Sequence, residues 1–100
     1  MDLCLRKVIH PQARDNYRVL LTREDEEFEI GSIGIKAFRS TDTAWTWGID
    51  TVLPLRAHQS EGRGADRGDC MKQFRAAWDR HCAEAGWLEE FLAAKRRAAR

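Results

Sequence analysis

The sequence has few of the residues that mark specialised classes of protein. It contains only three cysteines and two prolines among 100 residues. The cysteines are odd in number and widely spaced, at Cys4, Cys70 and Cys82. A chain of this length can bury a core without disulfide bonds. We therefore predict free thiols in a reducing compartment rather than a disulfide framework.

Long apolar stretches are also missing. No segment approaches the roughly 20 apolar residues that a membrane-spanning helix needs. Leu3-Cys4-Leu5 is followed at once by Arg6 and Lys7, so the start of the chain lacks the apolar region of a signal peptide. These features predict a cytoplasmic protein with no membrane partner.

The chain has almost no excess of charge, since its formal net charge is +1. Global charge therefore does not point to nucleic acid or to a highly charged substrate. What the chain does have is a composition that is 43% hydrophobic and 33% charged, with four tryptophans and four phenylalanines. Such a composition is too apolar for disorder, and the length suits one domain over residues 1–100.

The first half of the chain is typical of antiparallel strands. Residues 1–16 predict an N-terminal arm or edge strand, and residues 17–54 predict a sheet. Tyr17, Val19 and Leu21 alternate with more polar positions, which indicates a strand. A second strand begins near Phe28, and its alternation changes phase at Gly31-Ser32, where we predict a β-bulge.

The third strand carries the clearest pattern. Trp45, Trp47 and Ile49 share one bulky face, which continues through Thr51 and Leu53 and is predicted to pack inward. Pro54 has no N–H to donate and should end regular pairing. Because the strands follow one another with short connections, an antiparallel meander is the simplest topology.

Residues 55–65 are polar and predict a loop, and residues 66–100 predict helices. Asp66 is the expected N-cap, with Asp69 three residues later. An apolar stripe at helical spacing follows and continues past Gly86, but a single helix would be longer than a small domain is wide. Gly86 is a suitable C′ residue, so we predict two helices, over 67–85 and 87–98. The stripe comprises Met71, Phe74, Trp78, Cys82 and Ala85.

Together these patterns predict an α+β fold. Its sheet is a three- or four-stranded antiparallel meander with the C-terminal helices packed on one face (β-β-β-α-α, with a short N-terminal strand as the fourth). The predicted core consists of Trp45, Trp47, Ile49, Phe74 and Trp78, with Val19 and Ile35.

Four segments resemble a group of short, uncharacterised bacterial proteins. These are the Ile-Gly-Ser-Ile sequence at 30–33, the Trp-Thr-Trp-Gly-Ile-Asp strand within 45–54, the glycine-rich segment at 62–71 and the Phe-Arg-Ala-Ala-Trp sequence at 74–78. The resemblance covers about residues 17–80. It implies a bacterial cytoplasmic protein, and it supplies no catalytic or binding residues.

The chain contains serine, histidine and cysteine residues that could act as nucleophiles or metal ligands, but their spacing is not typical of active sites. A serine nucleophile elbow needs glycine two positions before the serine, whereas Ile30 stands there before Ser32. The histidines and cysteines lack the close spacing of zinc ligands, apart from the adjacent His81-Cys82. We therefore predict no catalytic residues, no metal and no cofactor, and expect that the protein is not an enzyme.

The tryptophans and the glycine-rich segment each allow two interpretations. Trp45 and Trp47 would form a base-stacking platform on an exposed face, or part of the core; the bulky face favours the core. The segment at 62–69 would hold a phosphate at a helix N-terminus through Arg63 and Arg67, or form an ordinary connection. Asp66 brings negative charge to that end and favours the connection.

The remaining candidate binding residues lie on the strongest strand and at the C-terminus. Thr46 and Asp50 point to the face opposite the bulky one, where either solvent or a partner covers them. Arg96, Arg97 and Arg100 would meet nucleic-acid phosphates, or complement the dipole of the second helix together with Glu89 and Glu90 in its first turn.

Three functional hypotheses follow. The leading one is a small non-catalytic protein-interaction module that acts through an unknown protein partner or by self-association, at a sheet edge or the uncovered sheet face. The second is a weak nucleic-acid-binding protein that uses the basic C-terminal helix. The third is an enzyme of unrecognised class.

Overall fold

The computed structural model describes residues 2–9, 15–38, 42–53 and 59–98. Over these residues an antiparallel sheet precedes two C-terminal helices, which confirms the predicted α+β class. The elements are β1 (Asp2–Lys7), β2 (Asn16–Arg23), β3 (Glu26–Phe38), β4 (Asp42–Ile49), β5 (Glu61–Gly64), α1 (Arg67–Cys82) and α2 (Trp87–Ala98).

The sheet has five strands in the order β1-β2-β3-β4-β5, each antiparallel to its neighbour. The meander is confirmed, whereas the predicted count of three or four strands is too low. The predicted N-terminal edge strand exists as β1. The additional strand, β5, lies inside the segment 55–65, for which the sequence predicts a loop; residues 55–58 of that segment lie outside the described residues, as does Pro54. Its Glu-Gly-Arg-Gly sequence has low strand propensity, so pattern alone gives no signal for it.

The glycines of β5 explain both the strand and its place in the fold. A Cβ on Gly64 would lie 2.7 Å from Cys70 Sγ, and one on Gly62 would lie 2.8 Å from Trp47 Nε1. Both distances are shorter than real side chains allow. Gly62 and Gly64 therefore let β5 lie directly against α1 and the Trp47 ring. This close packing, rather than the strand propensity of its residues, stabilises β5.

A tight hairpin joins β2 to β3. Glu24 and Asp25 form its turn with φ of 52° and 64°, the left-handed conformation that a type I′ hairpin turn requires at both positions. Along β3 the pairing then shifts: Val19 lies opposite Gly31 but Leu20 lies opposite Glu29. The extra residue is thus Ile30, next to the predicted Gly31-Ser32, and the change of phase in this strand is confirmed.

Both helices begin and end for local reasons. The Asp66 side chain accepts a hydrogen bond from the Asp69 backbone N–H at 2.7 Å, which confirms the predicted N-cap. The break near Gly86 is also confirmed, since this residue has a φ of 81° and α2 begins immediately after it. α1 ends at Cys82, three residues before the predicted end. Among the described residues, no helix is long and apolar enough to cross a membrane.

The core lies between one sheet face, the covered face, and the two helices. Val19, Trp47, Ile49, Phe74 and Trp78 are buried as predicted, and the Trp47 and Phe74 rings meet edge to face at 6.0 Å between centroids. A chain of hydrogen bonds ties the same tryptophan to the start of α1. Its links are Trp47 Nε1 to Gln73 Oε1 at 2.9 Å, Gln73 Nε2 to Asp69 Oδ2 at 3.1 Å, and the Ala65 N–H to Asp69 Oδ2 at 2.8 Å.

Two parts of the predicted core need correction. Ile35 is 37% exposed because α1 packs on the β5 side of the row that Ile35 shares with Trp45 and Gly64: the residue that approaches Cys70 of α1 is Gly64. Trp45 is half-buried and packs at the margin of the core. The predicted strand to Leu53 is also too long, since β4 ends at Ile49.

Candidate functional site: the uncovered face of the sheet

Strand register brings predicted and unpredicted residues together on the face opposite the helices. Thr46 lies between Gly34 of β3 and Arg63 of β5, and Gly48 lies between Ser32 and Glu61. Since paired residues share a face, these side chains form one surface, which we call the open face. It comprises Ser32, Gly34, Lys36, Thr46, Gly48, Glu61 and Arg63.

A shallow groove of about 340 Å³ crosses this surface at the β3–β5 end. Its floor contains the small residues Thr46 and Gly62, and the Thr46 hydroxyl donates a hydrogen bond to the Gly34 carbonyl at 3.1 Å. Lys36, Glu61 and Arg63 are exposed and give its borders charges of both signs. The groove therefore offers a flat, polar floor with charged borders.

The two arginines of the glycine-rich segment lie on opposite faces. Arg63 borders the groove, whereas Arg67 donates a hydrogen bond to the Tyr17 hydroxyl at 2.7 Å and lies over the Tyr17 ring. The N-terminus of α1 is occupied by its own carboxylates, through the Asp66 and Asp69 hydrogen bonds described above. The structure therefore does not bring Arg63 and Arg67 together around an anion.

Asp50 is held by contacts within the chain. Its carboxylate accepts a hydrogen bond from Arg18 at 2.6 Å and another from Lys95 of α2. Burial acts to raise the pKa of Asp50, but the two hydrogen-bonded cations outweigh this effect and hold the pKa below its ordinary value. Arg18 lies also 3.6 Å from Glu29. Asp50 thus connects the sheet to the last turns of α2, which gives this charged residue a structural role.

Replacing Asp50 with asparagine should destabilise the fold in a pH-dependent manner. The half-buried cations Arg18 and Lys95 would lose their counter-charge, and we expect the free energy of unfolding at neutral pH to fall by about 1–3 kcal/mol. A lowered carboxyl pKa stabilises the fold above its unfolded-state value near 3.8, and this stabilisation is lost as pH falls through the folded-state pKa.

The measurement is urea denaturation of the wild type and Asp50→Asn from pH 7 to pH 2. The difference between the two should shrink as the pH drops below about 4, because the wild-type carboxylate becomes protonated. Asp79→Asn, at an exposed site on α1, is the control and should change stability by less than about 0.5 kcal/mol. A difference between wild type and Asp50→Asn that is constant over this range would contradict the assigned ion pairs.

The basic residues of α2 are partly engaged as well. Arg96 forms an ion pair with Glu26 at 2.8 Å and lies over the Phe28 ring. This contact raises the pKa of Arg96 and lowers that of Glu26. Arg97 is exposed, and the predicted Arg100 lies outside the described residues. The C-terminal charges therefore tie α2 to the sheet more than they form a separate basic surface.

Cys70 and Cys82 have the properties of packing residues, whereas Cys4 is exposed. Cys70 is fully buried, and burial raises the pKa of its thiol; burial also raises the pKa of Cys82 to about 11. Such thiols stay protonated and react poorly. Across residues 2–9, 15–38, 42–53 and 59–98, no group of three or more histidine, cysteine, aspartate or glutamate side chains lies close enough to hold a metal ion.

The tryptophans that allowed a stacking interpretation lie on the covered face. Trp47 is 3% exposed beneath α1, and its indole N–H is bonded to Gln73, so its ring is a core element. Sequence reasoning identified Thr46 and Arg63 but missed Lys36 and Glu61, which join them at the groove. The register of β5, a strand with no sequence pattern, places Glu61 at the groove, and the pairing of β3 with β4 places Lys36 there.

No family model, curated protein or solved structure matches this chain. The functional assignment therefore depends on the geometry of the open face and on the edges of the sheet.

Proposed function

We propose that the protein is a small, non-catalytic protein-interaction module that binds a protein partner through its open face. The single observation that supports this is the groove across β3–β5, where small residues form a flat floor inside charged borders. A floor without bulky side chains lets a second backbone approach closely, while the charges at the borders select its register.

The chemistry of the borders suggests what the partner presents. Lys36 and Arg63 carry positive charge and Glu61 carries negative charge, so the groove has one more cation than anion. A partner segment that brings at least one carboxylate to the Lys36 side would complement it. We also infer a reducing compartment, which the three free cysteines support.

Two exposed lysines make a matched test of this proposal. A photo-crosslinking amino acid at position 36 lies at the groove, and one at position 72 lies on the exposed side of α1. In cells that express the protein naturally, we expect position 36 to capture a defined partner and position 72 to capture none of it. Equal capture at both positions, or none at position 36, would overturn the proposal.

Charge reversal should then measure the contribution of the groove. We expect Lys36→Glu to weaken binding of the captured partner by about tenfold, the effect of roughly 1.4 kcal/mol, because it repels the complementary carboxylate. Lys72→Glu makes the same change on α1 and should leave the dissociation constant unchanged. Isothermal titration of both variants against the purified partner gives the comparison.

A further inference from the structure

One edge of the sheet has no neighbouring strand among the described residues. β1 is the terminal strand in the order β1-β2-β3-β4-β5, so no described strand lies on its outer side. The strand is six residues long and regular, since its register with β2 runs without a shift from Asp2 to Lys7. Proteins protect such edges with a proline, a bulge, a very short strand or charged side chains. β1 has none of the first three, and its charged residues are of both signs: Asp2, Arg6 and Lys7.

The hydrogen-bond pattern identifies which backbone groups point outward. The Val8 N–H donates to the Asn16 carbonyl at 2.8 Å, in the register of the rest of the pair. In an antiparallel pair, alternate residues exchange hydrogen bonds with the neighbour. Arg6, Cys4 and Asp2 therefore bond inward to β2, which leaves the N–H and C=O groups of Leu3 and Leu5 directed away from the sheet.

The sequence of this edge is complementary to itself. Reading Asp2-Leu3-Cys4-Leu5-Arg6 against a second, antiparallel copy with Cys4 opposite Cys4 places each aspartate opposite an arginine. The same register pairs Leu3 with Leu5 of the other copy, and these are the residues whose backbone groups point outward. Opposite charges and apolar pairs at facing positions are the contacts that stabilise antiparallel strands.

Neighbouring registers lack this match. A shift of two residues in one direction places Asp2 opposite Cys4, and in the other direction it places Arg6 opposite Cys4. A shift of one residue would turn the side chains of the second copy to the wrong face. The charges therefore select one register.

The side chains at the edge suit this arrangement. Leu3 and Leu5 are half-buried and pack against the core, so pairing across the edge would continue the apolar layer from one copy to the next. Arg6 already contacts Glu29 at 2.8 Å and Glu27 at 3.4 Å. A guanidinium has five N–H donors, so Arg6 can keep the Glu29 contact and still meet an aspartate of a second copy.

We propose that two copies of this chain associate through β1 in this register and form one continuous ten-stranded antiparallel sheet. The two-fold axis is perpendicular to the sheet, so the open faces of both copies lie on the same side. This goes beyond the proposed function and does not depend on it, because β1 is at the opposite edge of the sheet from the groove.

Matched arginine substitutions test the association. Asp2→Arg would face Arg6 of the second copy twice in the dimer, whereas Thr22→Arg introduces an arginine on the same face, opposite Asp2 but within the chain. The first substitution changes the charge of each chain by +2 and the second by +1. By light scattering and analytical ultracentrifugation we expect a wild-type dimer, a dissociation constant raised about tenfold or more by Asp2→Arg, and a much smaller change for Thr22→Arg. A wild-type monomer at all concentrations, or equal effects of both variants, would overturn the proposal.

Disulfide trapping tests the register. An added oxidant such as diamide, which takes two protons and two electrons from a pair of thiols, should link wild-type chains through Cys4 and should not link Cys4→Ser chains. In the Cys4→Ser background, Asp2→Cys mixed with Arg6→Cys should form the mixed dimer, while each variant alone links far more slowly. Rapid linking of either variant alone would exclude this register. Crosslinking at position 36 to a different protein is independent of these outcomes, so failure of the dimer and failure of the proposed function can be told apart.

Discussion

Gly31→Ala should prevent the protein from folding stably. A Cβ at this position would lie 2.3 Å from the Gly48 carbonyl oxygen and 2.5 Å from a ring carbon of Phe74. The first neighbour is backbone and the second is a fully buried ring at the centre of the core, so neither can move without breaking other contacts. Overpacking of a core costs about 1–3 kcal/mol, and a backbone collision adds to that, so we expect a loss of at least about 3 kcal/mol.

Gly48→Ala is the matched control for this prediction. The same methyl group at Gly48 would meet its nearest neighbour at 3.9 Å, an ordinary van der Waals contact on the open face. We expect its free energy of unfolding to stay within about 0.5 kcal/mol of the wild type. Urea denaturation followed by tryptophan fluorescence measures both variants, and similar stabilities for the two would show that the strand β3 does not approach α1 as described.

The contact at Gly31 also shows where the sequence pattern was informative. The change of phase in β3 predicted an irregularity at Gly31-Ser32, and the extra residue is the adjacent Ile30. Period-two alternation is a local property, so it can be recognised from the sequence alone. It does not reveal that Phe74, more than 40 positions later, approaches this backbone, because that approach depends on how α1 crosses the sheet.

The strand β5 could not be predicted from the sequence pattern. Glu61–Gly64 forms a strand because Gly62 and Gly64 accept Trp47 and Cys70 at distances that no side chain would permit. A strand made by tertiary packing carries no propensity signal. This is also why only half of the groove was predictable: Thr46 follows from the alternation of β4, whereas Glu61 becomes its neighbour only once β5 is in place.

Ion pairs between residues far apart in the sequence could not be predicted from the sequence either. Asp50 was a candidate for partner contact because it lies on the face opposite the tryptophans. Its two cations come from β2 and α2, 32 and 45 positions away. The helix-dipole interpretation of the C-terminal basic residues, by contrast, is compatible with the structure: Glu89 and Glu90 lie in the first turn of α2, and Lys95, Arg96 and Arg97 in its last.

Trp78→Ala should be the most damaging substitution on the helices. The Trp78 side chain is 1% exposed and meets the rings of Trp87 and Phe91 edge to face, each at 5.2 Å between centroids. It therefore joins α1 to α2. Replacing a buried tryptophan by alanine removes its apolar contacts and leaves a cavity, which costs about 3–5 kcal/mol.

Trp45→Ala makes the same chemical change at a half-buried position on β4. Because this ring lies at the margin of the core, we expect a loss of only about 1–2 kcal/mol. Thermal and urea denaturation of both variants will rank them, and the near-ultraviolet circular dichroism should fall further for Trp78→Ala, where three packed aromatic rings lose their arrangement. If Trp45→Ala were the more damaging change, the two-helix core around Trp78 would be wrong. The expected ranking would instead support a core in which Trp78 joins the two helices and Trp45 lies at the margin.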